Sequence, residues 1–172
     1  MKRHITEPVV EMRPEQPYAG IAIQATLAEW GKVNELIEEI FKWLVAKELE
    51  PAGALFYRYW IIGNEEEQFH VEVGVPIERM IVGDERVIAS SLPGGAYVTA
   101  LHHGHPDGLD QSFAELEKWA QKEGLELDKR YEGETEIWNG RFECYLSDPS
   151  IEPDLNRWEI QLSFLLMPDD AA

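Results

Sequence analysis

Two stretches of the chain repeat one pattern of apolar and polar positions. Residues 33–50, VNELIEEIFKWLVAKELE, lie over residues 109–126, LDQSFAELEKWAQKEGLE, without a gap. Apolar residues coincide at Val33 and Leu109, Ile37 and Phe113, and Ile40 and Leu116. Their three- and four-residue spacing is that of a helix with one buried face. Glu39, Lys42, Trp43, Leu49 and Glu50 recur as Glu115, Lys118, Trp119, Leu125 and Glu126. The pattern predicts two helices that are copies of one unit, with Trp43 and Trp119 on their core faces.

Around these helices the periodicity switches from helical to alternating or continuously apolar, which predicts strands. YAGIAIQA (18–25) and AYVTALHH (96–103) precede the two helices. ALFYRYWII (54–62) and FHVEVGVPI (69–77) follow the first, joined by GNEEEQ as a hairpin loop. RFECYL (141–146) and RWEIQLSFLLM (157–167) follow the second, across the turn-rich SDPSIEPDLN. PVVEM (8–12) and RVIAS (86–90) head the two halves. Strand, strand, helix, strand, strand, taken twice, predicts an α+β fold. Residues 1–172 are then one domain of two pseudo-repeats, about 5–76 and 86–168, forming a mostly antiparallel sheet with helices on one face and a ligand groove on the other. The connector IERMIVGDER (77–86) is too apolar for a free linker, so the halves are expected to pack together. Pro168 to Ala172 are expected to fray.

Alternation also assigns faces. Val71, Val73 and Val75 oppose Glu72 and Gly74, while Ile160, Leu162 and Phe164 oppose Glu159, Gln161 and Ser163. If the aliphatic faces carry the helices, the open side of the sheet presents one glutamate from each half, Glu72 and Glu159. A solvated sheet face accounts for the same alternation.

Charge narrows the partners. Lys plus Arg number 15 against 33 Asp plus Glu, a net charge of -18. That field repels nucleic acid and anionic membrane surfaces and favours cationic ligands. MKRHITEPVV has no apolar run after its basic start, and no stretch approaches the ~20 apolar residues of a membrane span. Cys144 is the only cysteine, which rules out a disulfide within the chain. A cytoplasmic setting is expected.

ALHHGHPDGL (100–109) holds three histidines in four positions, His102, His103 and His105. A metal site needs imidazoles that converge, whereas neighbours on a strand diverge and Pro106 stiffens the exit. The histidines therefore read as strand-end and loop residues, with His102 alone a candidate for lining a cleft. No metal or cofactor is expected. No G-x-S-x-G, Walker or G-x-G-x-x-G motif is present.

Taken in order, LPGGAYVTALHHGHPDGL, FAELEKWAQKEGL, YLSDPSIEP and RWEIQLSF resemble the GyrI-like small-molecule-binding family. Its relatives include the effector-binding domains of multidrug-responsive activators and a group of cyclopropane-cleaving hydrolases. The residues that carry the likeness are Leu92 to Gly95, His103 with Gly104, Leu116 with Trp119, Tyr145 to Pro149, and Glu159 with Ile160. Gln161 and Ser163 depart from it, standing where the family often has an aromatic and a proline. No helix-turn-helix segment precedes the match, so the chain resembles a standalone member.

The resemblance implies that Glu159 faces bound cations in the ligand groove and that Trp30, at the start of the first helix, borders it. Tyr145 and Trp60 are further candidate walls, and Glu72 and Gln161 complete the candidate binding set. Trp138, in EIWNGR, is either a lid or a surface anchor. The implied function is binding of amphipathic, cationic or aromatic small molecules, for sequestration or sensing. An alternative is hydrolysis of strained, cyclopropane-containing or otherwise electrophilic natural products, with Glu159 activating water and Tyr145 donating a proton. A third is docking on a protein partner through the acidic surface, by analogy with the family's namesake.

Overall fold

A computed structural model of the chain describes residues 5–63, 68–148 and 151–168. Positions 64–67 of the anticipated hairpin loop, Pro149, and tail residues 169–172 lie outside the described residues. Ten strands and two helices are present, eight of the strands and both helices in the anticipated order and β7 with β8 added after the second helix: β1 (Val9–Arg13), β2 (Gln16–Ala25), α1 (Trp30–Ala46), β3 (Phe56–Ile62), β4 (Phe69–Pro76), β5 (Ile88–Leu92), β6 (Gly95–His103), α2 (Leu109–Lys122), β7 (Lys129–Glu132), β8 (Thr135–Trp138), β9 (Arg141–Tyr145) and β10 (Glu159–Leu165). The α+β architecture is the one the pattern predicts.

The strands form one antiparallel sheet that curls into a half-barrel; eight run in the order β1-β6-β10-β9-β3-β4-β2-β5, and the β7–β8 hairpin joins off this path through β8 on β3. That order is symmetric about the β9·β3 pair, where the two halves meet. The heading strands are exchanged: β1 pairs with β6 of the second half, and β5 with β2 of the first. Each half is therefore completed by a strand of the other, and the connector carries the chain between them.

Both helices bury the faces their periodicity marks. Val33, Leu36, Ile40 and Leu44 of α1 pack on Ile21, Val71, Val73 and Val75. Leu109, Phe113, Leu116 and Ala120 of α2 pack on Val98, Ala100, Ile160, Leu162 and Phe164. Each such large aliphatic contributes about 1.5–3 kcal/mol on burial. The helices end four residues earlier than the repeat suggests, and they end alike. Glu48 and Gly124 take left-handed backbone (φ 58° and 73°), and Leu49 N–H and Leu125 N–H bond back to Leu44 and Ala120 carbonyls, both at 2.9 Å. Leu49 and Leu125 thus fold under the last turn and pack on the core. Trp43 and Trp119 are half-buried against the same cores, and Trp43 Nε1 donates to Asp84 Oδ2 at 2.8 Å, tying α1 to the connector.

The face away from the helices closes on itself. Tyr18, Phe56, Tyr97, Phe142 and Leu165 make a third buried cluster inside the curl. Gly74 is required there, because a Cβ would lie 2.6 Å from Phe56 Cζ.

The sequence reading has no counterpart for the β7–β8 hairpin. Its strands are charged and only partly buried, so neither alternation nor an apolar run marks them. It changes the reading of Trp138, which is neither lid nor surface anchor. The ring is 2% exposed and stacks on Phe164 with centroids 4.9 Å apart.

Candidate functional site

Because α1 covers β2 and β4 while α2 covers β6 and β10, the central strands β3 and β9 lie in a seam between the helices. Residues of one parity on these strands face that seam. From β3 they are Tyr57 and Tyr59, and from β9 Arg141, Glu143 and Tyr145. Tyr57 and Glu143 are direct cross-strand partners.

Glu143 is 4% exposed. Tyr59 donates to its Oε2 at 2.6 Å and Tyr145 to its Oε1 at 2.7 Å, so each carboxylate oxygen meets one phenol. Burial raises the Glu143 pKa above the ordinary 4.5, outweighing the two hydroxyls and nearby Arg141, which act the other way. Burial and the Glu143 charge together push the phenols of Tyr59 and Tyr145 well above 10. The three groups therefore form a unit in which the carboxyl titrates long before either tyrosine.

Aromatic rings surround the carboxyl. Trp30 opens α1 and lies parallel to Tyr59, with centroids 6.1 Å apart and planes at 7°. It also meets Phe69 edge-on at 5.9 Å. The preceding turn is fixed by Glu29, whose carboxylate accepts from Thr26 N–H and Oγ1–H, both at 3.1 Å. Phe113 of α2 approaches Tyr59 edge-on at 6.5 Å. Tyr145 contacts Tyr57 at 5.2 Å and Trp158 at 6.2 Å. Tyr57 in turn donates to Asn34 Oδ1 of α1 at 2.6 Å.

Arg141 lies two residues along β9 from Glu143. Its guanidinium carbon sits 4.0 Å from the Phe113 centroid, 4.9 Å from Tyr59 and 5.7 Å from Trp138. Burial lowers its pKa below the ordinary arginine value. The carboxylates in its neighbourhood are held by other groups: Glu143 by the tyrosines, Glu117 and Glu136 by Lys129.

The six residues anticipated for ligand binding fall in three places. Trp30 and Tyr145 come together at the inter-helix seam. Trp60, Glu72 and Gln161 lie on the opposite side of the sheet. There Glu72, 4% exposed, accepts from Tyr18 at 2.6 Å and from Trp60 Nε1. Arg58 stacks 3.8 Å over Trp60 and donates to Tyr18 (3.2 Å), to the Ser91 carbonyl (3.1 Å) and to the Asn139 carbonyl (2.8 Å). Beside this network is an open depression of about 580 Å³, bounded by Ala22, Gln24, Trp60 and His70. The Glu72 face is thus not an open groove along its length; a buried polar network and the third core cluster fill its centre.

Glu159 stands apart from both groups. It begins β10 with its side chain 49% exposed and a carboxylate oxygen 3.8 Å from His103 Nδ1. Glu72 is buried in its network and Glu159 is exposed at a strand end, so the two glutamates do not line one open groove. Absent from the anticipated binding set are Glu143, Tyr57, Tyr59, Arg141 and Phe113. The signal was present in FYRYW and RFECY, where polar and aromatic residues alternate on what prove to be the two central strands.

The histidines diverge. His102 is 2% exposed, so it lines the core under α2 and not a cleft. Its Nε2 donates to the His105 carbonyl at 3.0 Å, and its Nδ1 lies 2.6 Å from Ser112 Oγ. His105 Nδ1 accepts from Asp107 N–H at 3.1 Å, capping the turn into α2. Among the described residues no cluster of three His, Cys, Asp or Glu side chains is placed to hold a metal, and no helix is long and apolar enough to cross a membrane.

Comparison with known proteins follows the fold. The profile of the GyrI-like small molecule binding domain matches residues 6–163. EcmrR in its DNA complex superposes with a TM-score of 0.78 at 17% identity, over 95% of this chain and 58% of that one. The chain thus spans somewhat more than half of that relative's length. The EcmrR C-terminal domain alone gives 0.73 at 17% identity, over 95% of this chain and 98% of that one. A hydrolase from Listeria innocua gives 0.62 at 16% identity, over 97% and 94%. SAV2435, bound to tetraphenylphosphonium, gives 0.59 at 9% identity, over 94% of each chain. No functionally curated protein matches the sequence.

Proposed function

Because the chain belongs to the GyrI-like small molecule binding domain family, we propose that its inter-helix seam receives an amphipathic, planar or aryl-rich cation whose charge comes to rest over Glu143. The observation that carries this reading is a desolvated carboxyl answered only by two phenols and ringed by aromatic faces. Ionised, it lacks a bonded counter-charge. A cation supplies one, lowers the carboxyl's pKa, and releases a proton where Glu143 was protonated.

The energies suit broad, moderate recognition. Each well-placed ring adds about 0.5–2 kcal/mol of cation–π attraction. A charge about 4 Å from the carboxylate gains on the order of 4 kcal/mol at an effective dielectric of 20, before desolvation is subtracted. Trp30 is half-buried over Tyr59, so its exposed side offers a wall on which an arriving ring packs. The cation-bound state of SAV2435 supports the ligand class, since the fold is shared.

The test is a fluorescence titration with tetraphenylphosphonium and with neutral triphenylphosphine oxide. Saturable tryptophan quenching by the cation, at least tenfold tighter than by the neutral compound, is expected. Equal affinity for the two, or no saturation by either, overturns the reading.

One observation favours hydrolysis as a second reading. A buried carboxyl whose pKa burial raises, bonded to two tyrosine hydroxyls, is placed to act with them as a general base and acid pair. Ionised Glu143 would take a proton from water as the water oxygen bonds to a cyclopropane carbon and the strained carbon–carbon bond at that carbon breaks. The released electron pair would be protonated by Tyr145 or Tyr59. Product mass after incubation of excess strained electrophile with substoichiometric protein decides between turnover and binding alone. In the binding reading the chain works in the cytoplasm as a sink, or reports occupancy to a protein partner.

A further inference from the structure

The seam has a second charged floor residue, Arg141, whose guanidinium has no hydrogen-bond acceptor among the described residues. The guanidinium of Arg141 rests on the ring of Phe113 at 4.0 Å and near Tyr59 at 4.9 Å. No described carboxylate forms an ion pair with it. Both oxygens of Glu143 are taken by tyrosines, and Lys129 bridges Glu117 and Glu136, with Glu136 at 2.9 Å. Arg58, on the other face of the sheet, differs in that one hydroxyl and two carbonyls accept from its two terminal nitrogens, leaving only its buried Nε without a partner among the described residues. An arginine cannot shed its charge, and its five N–H groups form a planar fork suited to a carboxylate. Stacking holds the plane of that fork while leaving its edge donors available.

Arg141 and Glu143 point to one side of β9 two residues apart, about 6–7 Å along a strand. We propose that the ligand is bipolar: a cationic aromatic body over Glu143, with an anionic or carbonyl oxygen some 6–7 Å away in the fork of Arg141. The inference rests on the seam being the binding site, and it replaces a simple lipophilic cation by a zwitterion as the preferred class. A plain cation meets Arg141 as a like charge at one end of the seam. A zwitterion answers both floor residues, and a bidentate guanidinium–carboxylate contact adds a geometric constraint that aromatic walls alone do not impose.

Rhodamine B and its ethyl ester separate these cases, because they share one xanthylium cation and differ in the free carboxylate. Both dyes are titrated by fluorescence anisotropy into the parent protein and into Arg141→Gln, Arg141→Lys and Glu143→Gln. Arg141→Gln is expected to weaken rhodamine B at least tenfold while changing the ester less than threefold or tightening it. Arg141→Lys is expected to recover part of the loss, and Glu143→Gln to weaken both dyes. Equal loss for both dyes in Arg141→Gln, or none, overturns the proposal and leaves the seam as the site. If neither dye binds the parent, the seam reading fails and the proposal fails with it. Unfolding midpoints of the variants separate loss of binding from loss of fold.

Discussion

Replacing Tyr59 by Phe removes one hydroxyl and nothing else from the floor of the seam. The ring keeps its contacts with Trp30 and Phe113, while Glu143 Oε2 loses its donor at 2.6 Å. A hydrogen bond to an ionised carboxylate contributes about 1.5–3 kcal/mol, against about 1 kcal/mol for one between neutral groups. The substitution therefore destabilises the ionised form more than the protonated form, by roughly 0.5–2 kcal/mol. At 1.36 kcal/mol per pH unit, the Glu143 titration midpoint should rise by about half to one and a half pH units.

The sign for stability follows from the direction of the shift. Burial holds the folded-state pKa of Glu143 above 4.5. Its contribution is thus fully present below pH 4.5 and lost as pH rises through the folded-state value. In Tyr59→Phe the loss relative to the parent should be small in acid and should grow across that titration. Two assays check this: urea unfolding of both proteins over a pH series, and the infrared carbonyl band of the protonated carboxyl in glutamate-labelled protein, assigned by its disappearance in Glu143→Gln. An unchanged midpoint, or a stability difference that does not vary with pH, would refute the claim that Tyr59 tunes this carboxyl.

Three further outcomes follow. Trp138→Ala should cost about 3–5 kcal/mol in urea unfolding, as expected for truncating a buried aromatic, whereas a surface anchor would lose little. Trp30→Ala should weaken tetraphenylphosphonium binding at least fivefold in the quenching assay with a modest change in thermal midpoint. His103→Ala combined with His105→Ala should leave cation affinity within threefold by calorimetry, because both side chains lie outside the seam.

The fold was legible because its determinants are local and repeated. Apolar spacing marked α1 and α2, and the duplicated order marked the two-part sheet. Exchange of β1 and β5 was not legible, since nothing in PVVEM or RVIAS specifies which half supplies its neighbour. The site was half legible for a related reason. Trp30, implied by the resemblance, and Tyr145, a further candidate wall, come together at the seam, but the candidate carboxylates were chosen from β4 and β10, the strands that flank the central pair. That choice assumed that helices cover the whole aliphatic face of the sheet. They cover only its flanks, and the uncovered middle belongs to β3 and β9. Glu143 sits in RFECY between apolar neighbours on a five-residue strand, too short for alternation to declare which face is functional. Its importance comes from Tyr59 on a strand 84 residues away in sequence, a pairing that only the tertiary fold reveals.

The central claim is that the charge determinant of the site is Glu143. Isothermal titration of tetraphenylphosphonium into parent, Glu143→Gln and Glu159→Gln tests it most directly, because both substitutions delete one negative charge from the same chain with little change of shape. Glu143→Gln should lower affinity at least tenfold, and parent binding should release protons across the pH range in which Glu143 titrates, in a way that the variant does not. Glu159→Gln, altering an exposed carboxylate at the end of β10, should bind within threefold of the parent. Full affinity in Glu143→Gln together with a tenfold loss in Glu159→Gln would contradict the account and move the site to the other face of the sheet.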